Sequence, residues 1–153
     1  MKPKLLVSAC LLGTPCRYDG KSKKNEAVCA LAERFELIPV CPEVLGGLPT
    51  PRTPSERRGA CVVRKDGPEV TAEYRRGAEC ALETARREGV LAAVLKERSP
   101  SCGSGEIYDG TFTGALAAGD GVTAELLKAN GITVYGEGEQ SLTEFLCSVS
   151  HST

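Results

Sequence analysis

Two hydrophobic periods alternate along this chain. Short continuous apolar runs occupy residues 4–8 (Leu5-Leu6-Val7), 36–40 (Leu37-Ile38-Pro39-Val40), 90–95 (Leu91-Ala92-Ala93-Val94-Leu95) and 132–135 (Ile132-Thr133-Val134-Tyr135). Unbroken runs, rather than in–out alternation, predict strands covered on both faces, as in a parallel sheet. Between them the period lengthens to that of a helix. Val28, Leu31, Ala32 and Phe35 share one face of a helix predicted over residues 25–34. Tyr74, Ala78, Ala81, Leu82 and Ala85 share one face of a helix over residues 72–88, with Thr71 as its cap and Gly89 as its stop. A further helix over residues 123–130 ends at Gly131, and Ser141-Leu142-Thr143-Glu144 has the form of a capping box opening a last short helix. Residues 60–64 and 69–70, joined through Asp66-Gly67, read as a small hairpin. Strand and helix in alternation predict an α/β fold, Rossmann- or flavodoxin-like, with a mainly parallel sheet of about four or five strands flanked by helices. One domain over residues 1–147 and a polar tail over 148–153 are expected.

Two stretches escape both periods. Residues 41–54 carry Pro42, Pro49, Pro51 and Pro54 with Gly46-Gly47, which argues against a helix or ladder strand, while Val44, Leu45 and Leu48 argue against disorder. Loops this long in small domains are usually functional. Residues 96–119 are also irregular and include the Ser99-Pro100-Ser101-Cys102-Gly103 loop and a segment around 108–113 that reads as a disordered lid.

Composition narrows the function classes. The 153 residues, 41% hydrophobic and 25% charged, suffice for a soluble domain with a real core. No apolar run approaches a membrane span, and Leu5 to Val7 is too short for the core of a signal peptide, so a cytoplasmic protein is expected. A net charge of −1 gives no field for nucleic acid, and with no Trp a base-stacking platform is not expected. Eight cysteines in such a chain point to metal or catalysis rather than disulfides. The single histidine, His151, lies in the polar tail, which argues against a His-rich centre or a Cys–His dyad.

The cysteines divide by context. Cys29, Cys61, Cys80 and Cys147 stand among apolar neighbours on periodic segments and read as small hydrophobes. Cys10, Cys16, Cys41 and Cys102 stand in or beside Gly- and Pro-rich loops. Cys10 and Cys41 close predicted strands, and Cys102 follows a third. Open parallel sheets bind ligands beyond the carboxyl ends of their strands, so these three thiols are expected at one mouth. No C-x-x-C is present. Three thiolates suit an iron–sulfur cluster with one iron free of protein, and equally a Cys-ligated zinc centre with an open position. Glu43, two residues beyond Cys41, is a candidate acid/base. Ser99 and Ser101 are candidate substrate contacts, and Arg52 is placed to hold an anion or pair with Glu43. Gly46, Gly47 and Gly103 would let backbone approach a bulky ligand.

Four motifs then resemble the thiouracil desulfurase family: Ser8-Ala9-Cys10-Leu11-Leu12-Gly13, Cys16-Arg17-Tyr18-Asp19-Gly20, the run from Cys41-Pro42-Glu43 to Pro51-Arg52, and Lys96 to Gly103. The resemblance spans residues 4–137. It implies a [4Fe-4S] cluster held by only three cysteines, here Cys10, Cys41 and Cys102, with Cys16 as the competitor. One open iron would take the sulfur of a thiolated pyrimidine such as thiouracil, in a non-redox hydrolysis giving the oxo-pyrimidine and hydrosulfide. Glu43 would be the acid/base, with Ser99 or Ser101 positioning the substrate. It also implies a small-molecule substrate and supply of the cluster by iron–sulfur assembly machinery. The alternatives kept open are a Cys-ligated zinc protein and a sulfur-relay module for tRNA modification.

Overall fold

Four parallel strands form the central sheet in the order β2 (Glu36–Val40), β1 (Lys4–Ser8), β5 (Ala92–Val94) and β8 (Val134–Tyr135), and the computed structural model describes residues 2–150 around it. The chain enters on β1 (Lys4–Ser8), then makes a 3₁₀ turn over Ala9–Leu12. After a loop it forms α1 (Glu26–Ala30), capped by the Asn25 side chain on the Val28 N–H at 3.0 Å. The helix predicted to reach residue 34 tightens into a 3₁₀ turn over Leu31–Glu33 before β2 (Glu36–Val40). β2 lies parallel to β1 in a register that pairs Leu5 with Leu37 and Ser8 with Val40.

Residues 41–54 are not helix-free as expected. A single turn, α2 (Pro42–Leu45), follows β2. Pro42 occupies the first helical position, where its missing N–H costs nothing. β3 (Ser55–Arg58) and β4 (Cys61–Arg64) make an antiparallel hairpin. The expected hairpin therefore has a different partner: residue 69 meets this strand only through an isolated bridge to Val63, and Ser55–Arg58, too polar for the apolar pattern to reveal, supplies the ladder. The long helix is α3 (Thr71–Glu88), closed by Gly89 in the left-handed region. Thr71 does not cap it; its hydroxyl instead ties Glu69 and the Val62 N–H.

β5 (Ala92–Val94) then pairs with β1 on the side away from β2. The lid expected to be disordered is a second hairpin, β6 (Glu106–Tyr108) with β7 (Leu116–Ala118). α4 (Val122–Ala129), β8 (Val134–Tyr135) and α5 (Glu139–Ser150) complete the chain. The last helix opens at Glu139, so Ser141 is not its cap; the Ser141 hydroxyl accepts from the Gly136 N–H at 2.8 Å. The helix runs on to Ser150, into the expected tail, and residues 151–153, with His151, lie outside the described residues.

Both sheet faces are covered, as the unbroken apolar runs require. Leu5 and Val7 pack with Val28, Leu31, Phe35, Leu142 and Phe145 on the α1/α5 side. Leu6 and Leu95 pack with Leu82, Ala85, Ala124 and Leu127 on the α3/α4 side. Among the described residues no helix is long and apolar enough to cross a membrane.

Candidate active site

A cavity of about 610 Å³ opens at the carboxyl ends of β1, β2 and β5. Cys10, Cys16, Cys41 and Cys102 all line it, together with Glu43, Ser99 and Arg52. Cys10, Cys16 and Cys102 are buried and Cys41 is half-buried.

Local chain geometry aims each thiol. Past β1 the 3₁₀ turn carrying Cys10 is ended by Gly13, whose φ of 104° is a conformation glycine alone adopts without strain. The Cys10 carbonyl accepts from Gly13 N at 3.3 Å and Lys23 N at 2.9 Å, so the intervening loop folds back and sets Cys16 beside Cys10. Cys41 caps α2, and its thiol points to the Cys16 carbonyl at 3.7 Å. Cys102 ends a tight turn in which Ser99 Oγ accepts from the N–H groups of Ser101 and Cys102, each at 3.1 Å.

Helix packing then places Glu43. α2 lies on α3 with Gly46 and Gly77 in the contact. A Cβ on Gly46 would collide with the Glu73 carbonyl, and one on Gly77 with the Pro42 carbonyl. Gly46 is thus required by a helix–helix approach, not by a ligand. Gly103 likewise fits under Ile107 and the Ser99 carbonyl, each 2.8 Å from where its Cβ would be. Neither glycine, nor Gly47, is part of the cavity wall.

Glu43 and Arg52 form a largely buried ion pair, with side chains 15% and 7% exposed. Arg52 Nε donates to Glu43 Oε2 at 2.8 Å and Nη2 stands 2.6 Å from the same oxygen. Oε1 receives no hydrogen bond among the described residues. One carboxylate oxygen is clamped and the side chain lines the cavity, an arrangement that can orient a water.

The two serines separate. Ser99 lines the cavity. Ser101 is 1% exposed, shares a hydrogen bond with Thr123 Oγ1 at 2.8 Å, and is outside the cavity lining. Its hydroxyl and that of Ser8 instead lie near enough to the Cys102 sulfur to favour its thiolate form. Burial pushes the Cys102 thiol up to about 12, against those two hydroxyls. The Cys41 thiol is pushed up by its hydrogen bond to Cys16 and by burial. Cys16 is raised by Cys10, a shift opposed by Cys41. Thiols so placed need a cation's charge to ionise, and loading a metal there releases protons.

The chemistry of the donor set suits an iron–sulfur body: the cavity is lined by four thiols and Glu43, and by no histidine among the described residues. The third wall of the cavity is the β6–β7 hairpin, with Tyr108 and Phe112. Its tip is held by buried Glu56, which accepts from Gly110 N at 2.9 Å and Phe112 N at 3.1 Å. Phe112 has a φ of 59°, a conformation those two bonds stabilise.

Sequence reasoning singled out four thiols, Glu43, Ser99 and Arg52 that the fold does gather. It missed Ser8, Glu56 and Tyr74. Tyr74 sits on the apolar stripe of α3 and reads as core; nothing in one sequence marks it otherwise.

The sequence profile of the family described as 2-thiouracil desulfurase matches residues 5–139. A Bacillus subtilis (strain 168) protein named "Uncharacterized protein YbbK" is 43% identical over 145 residues, spanning 88% of this chain and 96% of its own. The solved structure of a [4Fe-4S]-dependent thiouracil desulfidase, TudS, superposes with a TM-score of 0.90 at 50% identity, over 97% of this chain and 99% of that chain.

Proposed function

From the premise that this chain belongs to the 2-thiouracil desulfurase family, we propose that it hydrolyses thiolated pyrimidines such as thiouracil to the oxo-pyrimidine and hydrosulfide at a [4Fe-4S] cluster. The observation that carries the reading is the meeting of four thiols with a clamped glutamate in one cavity at the sheet mouth. Cys41 and Cys102 would hold the cluster together with Cys10, and Cys16 is the thiol that competes with Cys10. When bound, such a cluster supplies Lewis acidity toward a soft thione sulfur through an iron without a protein ligand.

The chain's own groups would do the rest. Glu43 Oε1 takes a proton from a water aimed at the thione carbon, while Arg52 keeps the carboxylate in place through Oε2. The C–O bond forms, the C–S bond breaks, and sulfur departs with the bonding pair as hydrosulfide. The proton held on Glu43 goes to the departing sulfur, and the proton of the new hydroxyl returns to Glu43 as the carbonyl forms. No electron is transferred, so no reductase is needed. Ser99, on the cavity wall, would orient the ring. Ser101 would act through the Cys102 sulfur as a positioning residue. The hairpin carrying Phe112 shields the reacting atoms from bulk water.

A thiol-rich cavity of this kind supports a reducing, cytoplasmic setting and loading by iron–sulfur assembly machinery. The test is anaerobic purification or reconstitution, followed by iron and sulfide analysis and by sulfide release from 2-thiouracil. A brown protein with turnover supports the reading; a protein that holds iron and releases no sulfide from any thiopyrimidine defeats it.

A further inference from the structure

Tyr74 is a buried polar group of the cavity to which the desulfuration step gives no part. The residue is 2% exposed and packs among Val62, Val70, Ala78 and Val122, between α3 and β4. Yet the residue also lines the cavity. The groups that act on its hydroxyl are Glu43, Ser55, Arg52 and Cys102, and all four line the same cavity. The ring is therefore anchored in the core while the residue's far end reaches the cavity that the clamped carboxylate also lines. Buried tyrosine hydroxyls normally find a partner. Here Ser55, on the same cavity wall, is the neighbour placed to hydrogen-bond the phenol oxygen. With Ser55 donating, the phenol's own O–H is left for a ligand in the cavity. Burial and the Glu43 charge hold the proton on the phenol, so it stays a donor.

A thiouracil ring presents two exocyclic heteroatoms. The thione sulfur belongs at the thiols and its carbon at Glu43. The carbonyl oxygen is then the acceptor still to be matched. The cavity's cationic donors are engaged or outlying: Arg52 is committed to Glu43, Lys96 to Glu137 at 2.8 Å, Arg17 to Asp19 at 3.5 Å and Arg98 to Glu106 at 3.6 Å, and Lys23 and Lys65 are exposed. We propose that Tyr74 reads the oxo edge of the thiopyrimidine, its hydroxyl donating a hydrogen bond to the exocyclic carbonyl oxygen with Ser55 holding the phenol in line. This inference rests on the desulfuration reading and names a specificity residue within it.

The experiment compares the parent, Tyr74→Phe and Ser55→Ala, each loaded with cluster, on 2-thiouracil and on pyrimidine-2-thione, which lacks the oxo group. Phenylalanine keeps the ring in its pocket, and equal iron content and absorbance establish that the site is intact. Tyr74→Phe is expected to lower kcat/KM for 2-thiouracil about threefold to tenfold, the range of one neutral hydrogen bond. Turnover of pyrimidine-2-thione should move by less than about twofold, because that ring has no acceptor to lose. Ser55→Ala should shift 2-thiouracil in the same direction by a smaller factor. A readout independent of turnover is calorimetric binding of the products: uracil should bind Tyr74→Phe about threefold to tenfold more weakly and pyrimidin-2-one equally well. Equal losses on both rings, or none, would overturn the assignment while leaving desulfuration intact. A parent that binds uracil but releases no sulfide from either thione would remove the desulfuration reading itself, and the role of Tyr74 with it.

Discussion

Replacing Arg52 with lysine keeps a positive charge beside Glu43 and removes the shape that carries it. The guanidinium joins three pieces of chain. Nε donates to Glu43 Oε2 at 2.8 Å, Nη2 to the Cys16 carbonyl at 2.9 Å, and Nη1 to the Pro49 carbonyl and Thr50 Oγ1, each at 3.0 Å. A lysine ammonium is one point with three donors and cannot span these acceptors together. If it keeps Glu43, it gives up the Cys16 carbonyl and the turn at 49–50. A charged donor's bond to the part-buried Cys16 carbonyl is worth about 2 kcal/mol, and the two exposed bonds of Nη1 about 0.5–1 each. With some of this recovered by water, Arg52→Lys should cost about 2–3 kcal/mol. For a chain of this size that lowers the melting temperature by about 5–10 °C. Arg52→Ala should cost more, about 3–5 kcal/mol, because it strands the Glu43 carboxylate at 15% exposure. The assay is thermal unfolding of metal-free protein under reducing, anaerobic conditions, with sulfide release measured on the loaded protein. Loss of the Cys16 tether should also slow turnover, since that loop carries one wall of the thiol cluster. The reasoning fails if Arg52→Lys melts within about 2 °C of the parent. It fails equally if the costs of Glu43→Gln and Arg52→Ala simply add, because partners in contact must couple.

Other outcomes follow from the same geometry. Cys41→Ala and Cys102→Ala should lose bound iron after anaerobic reconstitution, whereas Cys29→Ala and Cys147→Ala should keep it; full iron in Cys102→Ala would remove that residue from the ligand set. Glu43→Gln should retain iron and lower sulfide release by about 10²-fold or more, as expected for loss of a general base, and undiminished turnover would reassign that role. Ser101→Ala leaves the wholly buried Thr123 hydroxyl without its 2.8 Å partner, and urea unfolding should register a loss of about 1–3 kcal/mol. The Glu88 carboxyl is held below its ordinary value of 4.5 by its hydrogen bond and charge contact with Lys4. The native state therefore binds fewer protons there than the unfolded chain, so this stabilisation is present above 4.5 and is lost as the pH falls below it. Glu88→Gln should accordingly lose less stability than the parent between about pH 5 and about pH 3 in urea titrations, and an unchanged acid limb would contradict the pairing.

The hydrophobic pattern by itself determined the sheet. Continuous apolar runs such as Leu5 to Val7 can be satisfied only between two layers of helices, and the strand–helix alternation leaves a parallel order with its mouth at the carboxyl ends. The exits of those strands lead to Cys10, Cys41 and Cys102, so the meeting of thiols is legible in the sequence. Motif by motif, the resemblance named the chemistry. Polar elements were illegible: Ser55–Arg58 has no apolar period, yet it pairs with β4 and through Glu56 holds the hairpin tip. Which serine faces the cavity was also beyond the sequence. Ser99 and Ser101 have the same chemistry two positions apart, and only the docking of their turn on the start of α4 sends Ser101 into the interior toward Thr123. Tyr74 shows the limit most plainly. Helical periodicity records which way a side chain leaves its helix, not what its far end reaches, and a phenol long enough to cross the core satisfies the apolar stripe with its ring while the residue still lines the cavity that holds Glu43.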